Sequence, residues 1–210
     1  MTPLQITWFA QLKKYRAIAV IRSRDWEIGL KMAETAIASG LNLIEITWSS
    51  DRAGYLISYL REHYPDCQIG TGTILSELDL KEAIASGSQF AFSPHSDPNL
   101  VEIAHNANIP MVLGALTPTE IMQAWQWGSD GVKVFPVKSV GGAQFVNCLQ
   151  APLGHIPLIP TGGVTLANYR QLIEAGAIAV GLSSDLFPAI EKEAQNWSEI
   201  ITRIQQYYSL

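Results

Sequence analysis

The sequence predicts an α/β protein, a (β/α)8 TIM barrel with an extra N-terminal helix, on three observations. Eight short apolar runs recur along the 210 residues, about 20 to 26 residues from one start to the next. Each run is followed by a stretch whose apolar residues recur with helical period. No linker or low-complexity segment divides the chain, so residues 1–210 are expected to form one domain. Strands alternating with helices call for a parallel sheet, and eight such units call for closure into a barrel. The rival architecture is an open doubly wound sheet. It calls for a GxGxxG after the first strand, and IRSRDWEIG at 21–29 does not supply one.

The eight candidate strands are AIAVI (17–21), LIEIT (43–47), QIGTG (68–72), FAFSP (90–94), PMVLG (110–114), GVKVF (131–135), PLIPT (157–161) and AIAVG (177–181). They are short and apolar on both faces, as expected when one face fills the barrel and the other packs on helices. After the first strand, Ile28, Met32, Ala33, Ala36 and Ile37 share one helical face; after the last, Trp197, Ile200, Ile201, Ile204 and Tyr208 do the same. Asp25, Ser76 and Thr165 are placed as N-caps. Gly40, Gly128 and Gly176 are placed just past helix ends, where a left-handed residue favours glycine. Ahead of the first strand, Leu4, Trp8, Phe9 and Leu12 line one face of the extra helix, which is expected to cover the N-terminal mouth of the barrel.

Composition narrows the class of function. Hydrophobic residues make up 48% of the chain, enough for a sizeable core, and the charged 16% is too low for a disordered chain. A net charge of -5 with no long basic run argues against a nucleic-acid partner, while a local positive pocket for a small anion stays open. Cys67 and Cys148 are too few for a disulfide framework, and His63, His95, His105 and His155 show no metal-ligand spacing. No apolar stretch is long enough to span a membrane. The opening MTPLQITWFAQLKKYR lacks the pattern of a secretory signal, so a cytoplasmic location is expected.

Active sites of this architecture form at the C-terminal ends of the strands. That rule selects Arg22, Glu45, Thr47, Thr73, Pro94, Lys133, Phe135, Thr161–Gly163, Ser183 and Ser184. Lys133 lies inside an apolar run, where a lysine is costly unless neutral or paired. A desolvated amine is also a nucleophile toward carbonyls. Glu45 lies inside another apolar run, where a desolvated carboxyl suits proton transfer. The bland alternative is that the two are simply each other's counter-ions. PTGGV (160–164) and GLSS (181–184) follow strands seven and eight, the usual phosphate site of the fold, where backbone N–H groups cradle an anion. His95 is read as a solvated loop residue with no catalytic role.

In order along the chain, IEIT (44–47), GTGT (70–73), SPH (93–95), LTPTE (116–120), KVFP (133–136) and PTGGV (160–164) resemble the 2-keto-3-deoxy-6-phosphogluconate (KDPG) / 4-hydroxy-2-oxoglutarate (KHG) aldolase family. The resemblance implies a class I aldolase that needs no metal or organic cofactor. Lys133 would form the imine with the substrate ketone, and Glu45 would move the protons. Thr73 matches a position contacting the pyruvyl moiety, Pro94 and Phe135 match pocket-lining positions, and Gly162, Gly163 and Ser184 match the phosphate cradle. The products would be pyruvate and glyceraldehyde 3-phosphate, with KHG as a second substrate, and the assembly a homotrimer. The chain departs from some members, which carry an arginine for the substrate carboxylate where TWSSDR (47–52) has Ser49. Arg22 resembles the arginine of another branch. Three rivals stand beside this reading. They are cleavage of the 6-phosphogalactonate analogue, which GLSSDLF (181–187) evokes, an acid–base isomerase on a phosphate-binding barrel, and a non-catalytic metabolite-binding barrel.

Overall fold

The computed structural model describes residues 1–189 and 196–208. Its elements alternate in chain order. They are α1 (Pro3–Tyr15), β1 (Ala17–Ile21), α2 (Trp26–Ala38), β2 (Leu43–Thr47), α3 (Ala53–His63), β3 (Gln68–Gly72), α4 (Glu77–Ala85), β4 (Ala91–Phe92), α5 (Pro98–Asn106), β5 (Met111–Ala115), α6 (Pro118–Gln126), β6 (Val132–Val134), α7 (Ala143–Leu153), β7 (Leu158–Pro160), α8 (Tyr169–Glu174), β8 (Val180–Leu182) and α9 (Trp197–Tyr207). A single turn of 3-10 helix, Val137–Val140, separates β6 from α7. All strand pairs are parallel, in the order β7-β6-β5-β4-β3-β2-β1-β8. A parallel bridge between Thr161 and Gly181 links β7 to β8 and brings the ring to near closure, the (β/α)8 barrel the sequence predicts.

Alternation along the strands creates two apolar compartments. Ala17, Ala19 and Ile21 of β1, Ile44 and Ile46 of β2, and Val132 and Val134 of β6 face outward into the helix layer. Ile18, Val20, Leu43, Phe90, Phe92, Val112 and Ile159 fill the inside. Lys133, between Val132 and Val134, therefore points inward by the period-2 geometry of a strand. Helix α1 closes the lower end of this inner compartment. Its capping box is complete, with Thr2 accepting from the Gln5 amide, and Pro3 opens the first turn, where a missing N–H costs nothing. Trp8, Phe9 and Leu12 are buried against the inner cluster, and Leu4 is half-buried. The Trp8 ring lies 5.1 Å from Phe90, and its Nε1 donates to the Asp130 carbonyl at 2.9 Å.

The loop before β6 is held as firmly. The fully buried Asp130 carboxylate meets His105 Nε2 at 2.8 Å and accepts from the Met111 amide at 2.9 Å, while Ser129 Oγ accepts from the Leu113 amide at 2.8 Å. These bonds tie the entry of β6 to β5 and so fix the register on which Lys133 depends.

Several sequence expectations change in detail. The eighth strand starts at Val180, not Ala177: the Ala177 amide closes the end of α8 on Leu172, and the Ile178 amide turns to Leu158. Only at Val180 does pairing with β1 begin. β4 shrinks to Ala91–Phe92, and β6 and β7 to three residues each, all losing residues at both ends, while β5 runs one residue later than expected, Met111–Ala115. Asn168, not Thr165, precedes α8. Thr165 instead caps the turn ahead of it, accepting from the Asn168 amide at 3.2 Å. Asp25 and Ser76 cap α2 and α4 as expected, and Gly40, Gly128 and Gly176 take positive φ past their helices.

Trp8→Ala is expected to lower stability by about 3–5 kcal/mol, the usual cost of removing a buried aromatic. Guanidinium unfolding measures it; a loss under about 1 kcal/mol would mean that α1 is not part of the core.

Candidate active site

The upper mouth of the barrel holds a cavity of about 520 Å³. Its wall comprises Val20 and Arg22 after β1, Thr73 after β3, Pro94 after β4, Lys133 and Phe135 at β6, Thr161 to Val164 after β7, and Gly181, Ser183 and Ser184 at β8. Nearly every residue selected from the sequence is thus brought to one place. Two are not in the wall. Thr47 is fully buried and hydrogen-bonds Ser50 at 3.0 Å, which steadies the loop after β2. Glu45 lies deeper, 2% exposed. His95 also stays outside the wall, exposed, with Nδ1 2.9 Å from Ser93 Oγ. Ser49 is exposed.

Lys133 is 5% exposed, and its Nζ lies 5.3 Å from the Phe135 ring centroid and 5.9 Å from that of Phe92. Such rings shield the amine from water while tolerating a cationic form. Glu45 owes its place to a missing side chain. A Cβ on Gly72, at the end of β3, would lie 1.7 Å from Glu45 Oε1. That oxygen has no hydrogen-bond partner although it is buried. Burial pushes the Glu45 carboxyl above its ordinary 4.5, and the nearby charges of Lys133 and Arg22 offset this in part. A carboxyl adjusted in this way holds a proton nearer neutrality, as a proton-transfer group requires.

At the rim, Arg22 Nη2 donates to Thr73 Oγ1 at 3.1 Å. Thr73 has φ +59°, a left-handed conformation unfavourable to a β-branched residue. Backbone strain of this kind persists where the surroundings over-determine it, commonly at ligand sites. Across the mouth, Gly162 and Gly163 have φ of +87° and +81°, conformations open to glycine. Among the described residues, the amides of Gly163 and Ser184 have no protein acceptor, whereas that of Gly162 takes part in the bridge to Gly181. Two unspent N–H donors on one wall are suited to an anion.

Sequence reasoning missed Val20, Val164 and Gly181. Alternation in β1 turns Val20 inward, and Gly181 opens the GLSS motif, so both signals were present. Val164 closes the PTGGV motif, so its signal was present as well. Among the described residues, no three His, Cys, Asp or Glu side chains gather as a metal site, and no helix is long and apolar enough to cross a membrane.

A closed-bottom (β/α)8 barrel with a buried amine, a buried carboxyl and an anion-receptive wall at its upper mouth is the frame of a small-molecule α/β-barrel enzyme. The chain belongs to the KDPG and KHG aldolase family, whose model matches residues 9–203. It is 31% identical over 183 residues to the 2-dehydro-3-deoxy-phosphogluconate aldolase of Dickeya dadantii, covering 87% of this chain and 86% of that one. It is 30% identical to the KHG/KDPG aldolase of Escherichia coli K12 over the same shares. Among solved structures, the KDPG aldolase of Legionella pneumophila, holding pyruvate as a covalent carbinolamine, superposes with a TM-score of 0.86 at 26% identity. That match covers 96% of this chain and 98% of the other.

Glu45→Gln tests the carboxyl in two ways. Turnover should fall by about 10²–10⁴-fold, the usual worth of an acid–base group. Stability carries a second signature. Below the ordinary value of 4.5, the folded and unfolded chains both hold the proton. Above it the unfolded chain releases the proton first, so the wild type loses stability as pH rises toward the folded-state value. The variant should therefore gain Tm over wild type at neutral pH and little below the ordinary value. Equal differences in scanning calorimetry at both pH values would contradict the raised carboxyl.

Proposed function

We propose that this protein cleaves 2-keto-3-deoxy-6-phosphogluconate to pyruvate and glyceraldehyde 3-phosphate through an imine on Lys133, with 4-hydroxy-2-oxoglutarate as a second substrate. The observation that carries this reading is the shielded Lys133 amine in the cavity wall with the Glu45 carboxyl beneath it. Membership of the aldolase family supplies the reaction class, aldehyde-lyase. The relatives named above are gluconate-branch enzymes, which favours that substrate over the galactonate analogue.

The chemistry runs as follows. Neutral Lys133 adds to the ketone carbon, giving a carbinolamine, and loss of water leaves the protonated imine. Removal of the C4 hydroxyl proton lets the C3–C4 bond break. Its electron pair flows into the iminium to form an enamine, and the aldehyde departs. Protonation of the enamine carbon and hydrolysis then release pyruvate and restore the amine. Glu45 serves as the proton carrier for these steps. Thr73 and Arg22 hold the substrate carboxylate on one side, with Arg22 in the role that Ser49 does not fill. Pro94 and Phe135 enclose the pyruvyl carbons. Thr161, Gly162, Gly163, Ser183 and Ser184 receive the phosphate on the other side. Thr47 acts at one remove, through the loop after β2. The homotrimer is part of the same proposal, and light scattering measures it.

Borohydride with pyruvate should trap one adduct on Lys133, located by peptide mapping. Labelling at Lys138, or none, would sink the imine mechanism. In Arg22→Lys the pyruvate concentration for half-maximal trapping should rise about tenfold to a hundredfold, since lysine cannot reproduce a two-pronged grip on a carboxylate. An unchanged half-saturation would place carboxylate binding elsewhere.

A further inference from the structure

We propose that Lys138 is a specificity-determining residue, a cation mounted behind the phosphate cradle that selects phosphorylated over unphosphorylated substrates. The inference rests on the phosphate reading of the Gly162–Gly163–Ser184 wall and adds to it a residue that no strand-end rule selects.

The backbone around Lys138 is stitched to that wall. Its amide donates to the Gly162 carbonyl at 3.1 Å, and the preceding Val137 amide donates to the Thr161 carbonyl at 2.9 Å. The side chain then runs across Gly163. A Cβ on Gly163 would lie 2.4, 3.0 and 2.6 Å from Lys138 Cβ, Cγ and Cδ. Gly163 is thus bare on the side where the lysine stem lies, and the stem is laid along the cradle rather than pointed away from it. Two bonds beyond Cδ, the ammonium stays close to the Gly163 backbone.

The charge pattern points the same way. Gly163 is shared between the substrate cavity and a second cavity of about 340 Å³, which Lys138 lines with Gly141, Gly142, Thr165 and Asn168. Among the described residues, neither wall contains an acidic one. Among the described residues, the ion pairs are Lys31–Glu34, Lys81–Glu77, His105–Asp130 and Arg203–Asp185, so Lys138 has no carboxylate partner. A phosphate group carries roughly two negative charges near neutrality. Seated on the Gly163 and Ser184 amides, it would give Lys138 the anionic partner that it lacks among the described residues. Lysine presents a rotatable point charge, suited to a tetrahedral phosphate, whereas the planar carboxylate end of the substrate would meet Arg22.

The test compares kcat/KM for 2-keto-3-deoxy-6-phosphogluconate and 4-hydroxy-2-oxoglutarate in wild type, Lys138→Met and Lys138→Arg. Methionine keeps an unbranched stem over Gly163 and removes the charge; arginine keeps the charge. The ratio of phosphorylated to unphosphorylated kcat/KM should fall roughly three- to tenfold in Lys138→Met, chiefly through KM, as fits a partly exposed charge pair. It should recover in Lys138→Arg, and added salt should shrink the wild-type advantage. A high wild-type ratio that Lys138→Met leaves unchanged overturns the role of Lys138 alone. A ratio that falls equally in both variants makes Lys138 a packing residue and also overturns the proposal. A wild-type ratio near one overturns the phosphate reading itself, and the role of Lys138 with it.

Discussion

A carboxyl and an amine share the dry interior of this barrel, and that juxtaposition of Glu45 with Lys133 constrains most of what surrounds it. Each group alone would be costly to bury. Together they offset one another in part, yet Glu45 Oε1 still lacks a hydrogen-bond partner, and burial still dominates its shift. A buried pair of this kind is weak evidence for stability. It is better understood as a functional element that the rest of the fold must hold in place. Gly72 leaves the room for Glu45, and the Phe92 and Phe135 rings keep water from Lys133.

The two ends of the barrel divide this labour. At the lower end α1 seals the interior with Trp8, Phe9 and Leu12. The Trp8 indole also reaches the Asp130 carbonyl, in the turn whose hydrogen bonds lead into β6. The same indole that closes the interior therefore braces the entry to the strand carrying Lys133. At the upper end the chain opens into loops, where backbone amides and long basic side chains face solvent and substrate. A rigid base with an adaptable rim is the arrangement that lets one barrel architecture host many chemistries.

The rim is also where charge is sorted. Among the described residues, the walls of the substrate cavity and its neighbour carry Arg22, Lys133 and Lys138 and no carboxylate, although the chain as a whole has a net charge of -5. A locally positive mouth on an acidic protein draws small anions without attracting polyanions to the rest of the surface. In the proposed reading Arg22 takes one anionic end of an elongated substrate and the glycine amides the other, which leaves it one favoured orientation.

Much of this was legible in the chain alone. Short runs apolar on both faces, alternating with period-3.6 stretches, determined the barrel, because such a strand must be covered by helices on one face and by its fellow strands on the other. The inward direction of Lys133 and Glu45 followed from alternation along each strand, and PTGGV and GLSS marked the glycine-rich part of the cavity wall. What only the tertiary structure decided depends on distances between segments far apart in sequence. The start of β8 at Val180 was set by where the Ala177 and Ile178 amides found acceptors on α8 and β7. The withdrawal of Thr47 from the wall was set by Ser50. The placement of Lys138 across Gly163 joins two loops 25 residues apart. Local pattern fixes which face a residue turns, since that is a property of backbone geometry. Which partner it meets there is a property of packing, and one strand's sequence holds no record of the loop that another strand will bring beside it.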